Sequence, residues 1–230
     1  MQNVTILGLT LQERTLPETM TLTRRFITNG AIDVMAYVDH DVLSKASKDK
    51  QVKEFILNAT VTLWENVKLL KLVGITGRER LEEVGNRIFL KKLFELIASE
   101  SGTVIIAAAD EKALDQLENE VAAFASDVKI VHKTVMELNS VRIPEDEINS
   151  INAYAPLLLI ARADYRLQNE WLKLAKSMIN VGIWLALPPG MNLATADAKK
   201  DYLFKRIWHK VSFRLFKRRA AKAMEGQNDL

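Results

Sequence analysis

Short unbroken apolar runs alternate along this chain with longer segments of helical period. The clearest pair covers residues 157–161 and 181–187, separated by a polar turn over 162–171 and a helical stretch, so the unit reads as β-loop-α-β. Further strands are expected at 4–11 (a strand or hairpin arm), 32–38, 60–64, 103–109 and 128–131. Thr15-Leu16-Pro17-Glu18 fits a capping box with proline in the first turn, and Asn29-Gly30 ends that helix near Thr28. Helices are also expected from the Asp39 cap to Ser47, at 51–57, 67–73, 78–100 with a break near Gly85, 111–126 and 144–153. Leu114, Leu117, Val121 and Phe124 mark the inward face of the 111–126 helix.

Strands without polar alternation suit a sheet covered on both faces, which is usually parallel. The expected fold class is therefore α/β, Rossmann-like: a mainly parallel sheet flanked by helices, with a basic C-terminal helical appendage. Residues 1–195 would form the α/β domain and 196–230 the appendage. Ligands of such sheets bind beyond the carboxyl ends of the strands, which puts 162–168 in the expected site and leaves 157–161 as core.

Hydrophobic content of 48% and charged content of 27% are those of a globular protein. Cysteine is absent, which excludes disulfides, thiol catalysis and cysteine-bound metals. The first residues show no basic-then-apolar signal, and no uncharged apolar run reaches the roughly 18–20 residues of a spanning helix. The net charge of +3 conceals an asymmetry: ten basic residues against Asp201 give 199–222 a charge of +9, and the remainder carries −6. In that segment Leu203, Ile207, Val211 and Leu215 recur every four residues, whereas Phe213 and Phe216 fall on a second side. A basic amphipathic helix with such aromatics suits an anionic membrane surface; the competing reading is a helix packed on the domain with a solvated basic face.

Neither G-x-G-x-x-G, nor G-x-x-x-x-G-K-[ST], nor G-x-S-x-G occurs. His40, His132 and His209 are far apart, and the acidic residues of Asp39-His40-Asp41 read as capping and first-turn residues rather than metal ligands. No RRM, KH or helix-turn-helix pattern accompanies the basic tail, so no nucleic-acid partner is expected. Glu65 directly follows the 60–64 run, at the carboxyl end of a buried strand, where a carboxylate can serve as general base.

Taken in order over roughly 4–220, these segments resemble the WecG/TagA/CpsF glycosyltransferases, glycosyltransferase family 26. Val4-Thr5-Ile6-Leu7-Gly8-Leu9 is similar to the family's opening strand with its I-L-G. The stretch from Asp39 to Asp49 parallels N-P-E-I-(V)-x-x-A-x-x-D, and Leu57-Asn58-Ala59 with Trp64-Glu65-Asn66 parallels L-N-x-A-D followed by P-D-G. Ile151-Asn152-Ala153 with Pro156 parallels I-N … P-D. Leu167-Gln168-Asn169-Glu170-Trp171 parallels the P-K-Q-E-x-W region, and Leu193-Ala194 matches F-L-A-G.

The resemblance implies an inverting, metal-independent enzyme that moves a sugar, typically N-acetylmannosamine, from a UDP-sugar to a polyprenyl-diphosphate-linked acceptor in cell-surface polysaccharide synthesis. It implies no cofactor beyond that donor, and a cytoplasmic, peripheral location at the inner membrane face through residues 199–222. It leaves room for a homo-oligomer. Glu65 takes the position of the family's base and Gln168 that of its donor-pocket glutamine, while Arg206, Arg214 and Arg218 are the tail arginines that would face the diphosphate. Tyr37, Asp39, Asn66, Arg87, Arg162 and Asp164 complete the expected substrate-binding set.

Several positions depart from the family pattern. Tyr37-Val38-Asp39 replaces T-x-N, putting a charge where an amide stands, and Arg87 replaces the aspartate of G-x-D-L. Ala107-Ala108 replaces a G-G turn, and Arg162-Ala163-Asp164-Tyr165-Arg166 replaces G-x-G-x-P. Lost glycines should crowd backbone approach to a nucleotide. The alternative expectation is therefore a catalytically degenerate homologue acting as a binding or scaffold partner in the same pathway.

Overall fold

The computed structural model describes residues 2–136, 143–193, 213 and 215–221. The chain opens with an antiparallel hairpin, β1 (Gln2–Ile6) and β2 (Leu9–Glu13), paired from Gln2 with Glu13 to Ile6 with Leu9. α1 (Leu16–Phe26), β3 (Asp33–Val38), α2 (His40–Ala46), α3 (Lys50–Asn58) and β4 (Val61–Trp64) follow. Next come α4 (Val67–Leu72), α5 (Arg78–Gly85), α6 (Ile88–Ser99), β5 (Thr103–Ala108) and α7 (Glu111–Phe124). β6 (Lys129–Val135), α8 (Glu145–Tyr154), β7 (Leu158–Arg162), α9 (Tyr165–Ala175) and β8 (Ile183–Leu187) complete the domain.

Six strands form one parallel sheet in the order β4-β3-β8-β7-β5-β6. The unbroken apolar runs are explained by its two covered faces. Val34, Ala36, Leu159, Ala161, Trp184 and Ala186 point into a core shared with α2, α3, α4 and α9. Their strand neighbours Met35, Tyr37, Leu158, Ile160, Ile183 and Leu185 point into a second core closed by α1, α6 and α7. Alternate residues enter opposite cores, so every position must be apolar. The fold class is the α/β, Rossmann-like arrangement expected from the sequence.

Local signals act as read. Thr15 and Glu18 form the reciprocal capping box of α1, and Gly30 turns the chain with φ of +70° where a side chain would be strained. The 78–100 helix is two helices, broken after Gly85. β6 runs to Val135, longer than the expected 128–131. The stretch read as a polar turn, 162–171, is the larger difference. Arg162 is the last strand residue and is buried, Asp164 is a cap, and α9 has already begun at Tyr165. The expected 195/196 domain boundary lies outside the described residues.

Candidate active site

The carboxyl edge of the sheet gathers most of the expected residues. Val38 pairs with Trp64 in the parallel register, and the Glu65 N–H donates to the Val38 carbonyl at 3.0 Å. Asp39 and Glu65 therefore leave adjacent strands side by side. Asp39 caps α2, accepting from the Val42 N–H at 2.7 Å, and Asn66 caps α4, accepting from Lys68 and Leu69 N–H groups. These polar residues end the strands because their side chains satisfy the orphan amides of the next helix.

Glu65 is partly buried, with a side chain 21% exposed. One carboxylate oxygen accepts from Arg87 Nη2 at 3.0 Å and the other from Asn66 Nδ2 at 2.6 Å. Each oxygen offers two lone pairs, so each keeps one for a substrate hydroxyl. Arg87 also donates to the backbone carbonyls of Glu65 at 3.0 Å and Asn192 at 3.4 Å. Its own backbone is left-handed, φ 54°, just ahead of α6. For a bulky side chain that conformation costs on the order of 1–3 kcal/mol, and such strain clusters where a side chain must be aimed. Arg87 thus supplies a cation that holds the Glu65 carboxylate at the carboxyl edge of the sheet.

Behind Glu65 lies a network that the sequence pattern does not announce. The Trp64 indole N–H and Arg80 Nε both donate to Glu13, with Arg80 at 2.6 Å, and Arg80 also reaches Glu83 at 2.9 Å. Buried Tyr37 lines the small gap between Arg80 and Arg87, and burial raises its phenol well above the ordinary range. Tyr37 therefore supports the site from within the core.

On the other side of Asp39 a cavity of about 330 Å³ opens, lined by Asp39, Asp41, Ser44, Lys45, Asp164 and the Pro188-Pro189 turn, among others. Asp164 accepts from Lys45 Nζ at 2.6 Å and from the Arg166 N–H at 3.0 Å. Burial is the largest single influence and opposes its charge, but the bonds from Lys45 and the Arg166 N–H, with the charges of both residues, together outweigh it, and the carboxyl titrates below its ordinary value. Asp39 behaves oppositely. Burial removes water from its carboxylate, and nearby Glu65 and Asp41 add repulsion, so it titrates at about 7 despite the Val42 bond. This size is at the lower end for small-molecule sites.

Two expected ligand-binding residues face elsewhere. Gln168 has no exposed surface; its amide donates to Ala163 O at 2.9 Å and Leu187 O at 3.0 Å, and accepts from Trp184 Nε1 at 3.2 Å. Both amide hydrogens are used, so in this structure Gln168 ties the ends of β7 and β8 together. The Tyr165 hydroxyl does similar work between the carbonyls of Tyr37 and Ala186. Arg162 turns away from the cavity to a two-pronged pair with Glu120, which also accepts from the Leu193 N–H at 3.0 Å. Glu120 flanks the inward stripe of α7, and that placement was the sequence signal for it. Lys45 carried no such signal.

Arg206 and Arg214 lie outside the described residues; Arg218 is exposed on the helical stretch 215–221. Phe213 and Phe216 meet the His40 ring edge-on at 5.7 and 6.1 Å, and Lys68 sits 5.8 Å from the Phe213 ring centroid. Phe216 and Ala220 are buried. The aromatics on the second side are therefore the docking side, and Leu215, assigned to the apolar stripe, is 55% exposed.

The glycosyl transferase WecG/TagA/CpsF family model matches residues 4–198, well over half of the chain. The chain belongs to the WecG/TagA/CpsF glycosyltransferase family. A comparison with curated proteins gave no match. Among the described residues no helix is long and apolar enough to cross a membrane.

Proposed function

We propose that this family member transfers a sugar, N-acetylmannosamine-like, from a UDP-sugar to a polyprenyl-diphosphate-linked acceptor in cell-surface polysaccharide synthesis. The observation that carries the reading is the position of Glu65: at the carboxyl edge of the sheet, partly buried, oriented by Arg87 and Asn66, with lone pairs to spare. Glu65 takes the proton of the acceptor hydroxyl as its oxygen attacks the anomeric carbon. The bond from that carbon to the UDP oxygen breaks on the opposite face, which inverts the centre and releases UDP. Arg87 holds the carboxylate in line; the tail arginines Arg206, Arg214 and Arg218 would offset charge on the departing diphosphate, as metal-free chemistry requires. The proposed location is the inner face of the cell membrane, with residues 199–222 against anionic lipid. Exposed Leu215, Lys217, Arg218 and Arg219 on the outer side of the docked helix support it.

A second reading, a catalytically inert partner protein, has one observation in its favour. Arg87 binds Glu65 and the Asn192 carbonyl, so its guanidinium is already engaged within the chain rather than offered to a diphosphate. Calorimetric titration of UDP and several UDP-sugars separates the two. Transfer predicts heat with UDP and with at least one UDP-sugar; no heat with any of them overturns it in favour of the partner reading.

A further inference from the structure

The cavity beside Asp39 is built against anions. Two helix N-termini open onto it, and both are already capped from within the chain, α2 by Asp39 and α9 by Asp164. Each cap takes a first-turn amide, that of Val42 for Asp39 and that of Arg166 for Asp164, and sets a carboxylate at the helix start where a phosphate would otherwise sit. Three carboxylates line the space against one ammonium, and Lys45 is bound to Asp164. That leaves Asp39 and Asp41 without a lysine or arginine among the cavity's lining residues. Opposite them, Pro188 and Pro189 present rings with no N–H, and Ser44 adds a hydroxyl.

We propose that this cavity is a subsite for an unacetylated amino sugar, whose protonated amine pairs with Asp39 and whose ring lies against Pro188 and Pro189. The volume, about 330 Å³, suits one such ring with its water and not a whole nucleotide sugar. A carboxylate as buried as that of Asp39 gains more from a cation than an exposed one does. On the transferase reading, whose donor is N-acetylmannosamine-like, the free amine belongs to the acceptor sugar, which that reading leaves open; the binding test below does not depend on transfer.

Protonation gives the subsite a signature. Asp39 is faced by Glu65 from the end of β4, by His40, Asp41 and Lys45 from α2, and by Asp164 and Tyr165 from α9. Asp39 holds a proton below about pH 7. A bound ammonium expels that proton, so affinity for an amine rises with pH up to that point, whereas an acetamide or a plain hexose gains nothing.

The test titrates glucosamine, N-acetylglucosamine and glucose into the full chain below neutral pH, with UDP as a parallel control. Glucosamine should bind at least about tenfold tighter than the other two, the strength of one charge-assisted hydrogen bond. Its affinity should climb toward about pH 7. The preference should vanish in Asp39→Asn, which keeps a capping side chain, and in Ser44→Lys, which puts a fixed cation in the cavity. Equal affinities, a preference that survives both substitutions, or no binding of any of the sugars overturns the proposal. UDP heat retained beside such a failure leaves the transferase reading standing.

Discussion

Asp39 shows how a single residue carries two opposed demands. As an N-cap it accepts the Val42 amide, yet the same burial that orders the cap pushes its carboxyl to about 7. The folded chain then holds a proton that the unfolded chain has released, so this group's contribution to stability falls as pH rises from the ordinary carboxylate range to about 7. Asn at this position caps equally well and never ionises. Asp39→Asn should therefore gain on the parent protein as pH rises through that window, read as urea midpoints at acidic and mildly alkaline pH. A constant difference between the two proteins would contradict the burial of this charge. The cap itself was legible in the sequence, because Asp39 and Asp41 stand where a helix after a strand wants a capping and a first-turn acid. Its titration was not, since that depends on how deeply the fold buries Asp39 and on β4 delivering Glu65 to the same edge.

At the scale of elements, the sheet was readable and its fastenings were not. Runs such as 157–161 announce strands covered on both faces, and Gly85 announces the break between α5 and α6. Nothing in a linear pattern distinguishes a glutamine that faces a ligand from one that ties two strand ends, which is what Gln168 does. Gln168→Ala would strand two buried carbonyls and the Trp184 indole N–H, and should cost about 1–3 kcal/mol in denaturant unfolding. Arg162 makes the same point with charge. Arg162→Ala leaves Glu120 partly buried without its cation and should cost about 3 kcal/mol, near the lower end for a broken buried pair. In the double variant with Glu120→Gln part of that loss should return. Were the singles harmless, the pair would not be fastening β7 to α7 and to the 190–193 turn.

For the whole molecule, the question is what the basic tail does when it leaves the domain. Phe213 and Phe216 anchor it on His40, next to the Asp39 cap, so its described part sits at the carboxyl edge of the sheet. Helical period separated these aromatics from Leu215, the one member of the leucine stripe within the described residues. It could not say which side would meet protein, because both sides are apolar enough to bury. Liposome sedimentation should show anionic vesicles retaining the full chain and losing the chain cut before Lys199; equal retention would retire the membrane contact.

Transfer itself, followed with a radiolabelled UDP-sugar and a polyprenyl-diphosphate-linked acceptor, is the direct test of the central claim. The parent protein should form product, and Glu65→Gln should lower turnover by at least about a hundredfold, the usual contribution of a general base, while still binding UDP. Undiminished product formation by Glu65→Gln would contradict the assignment of this carboxylate as the base.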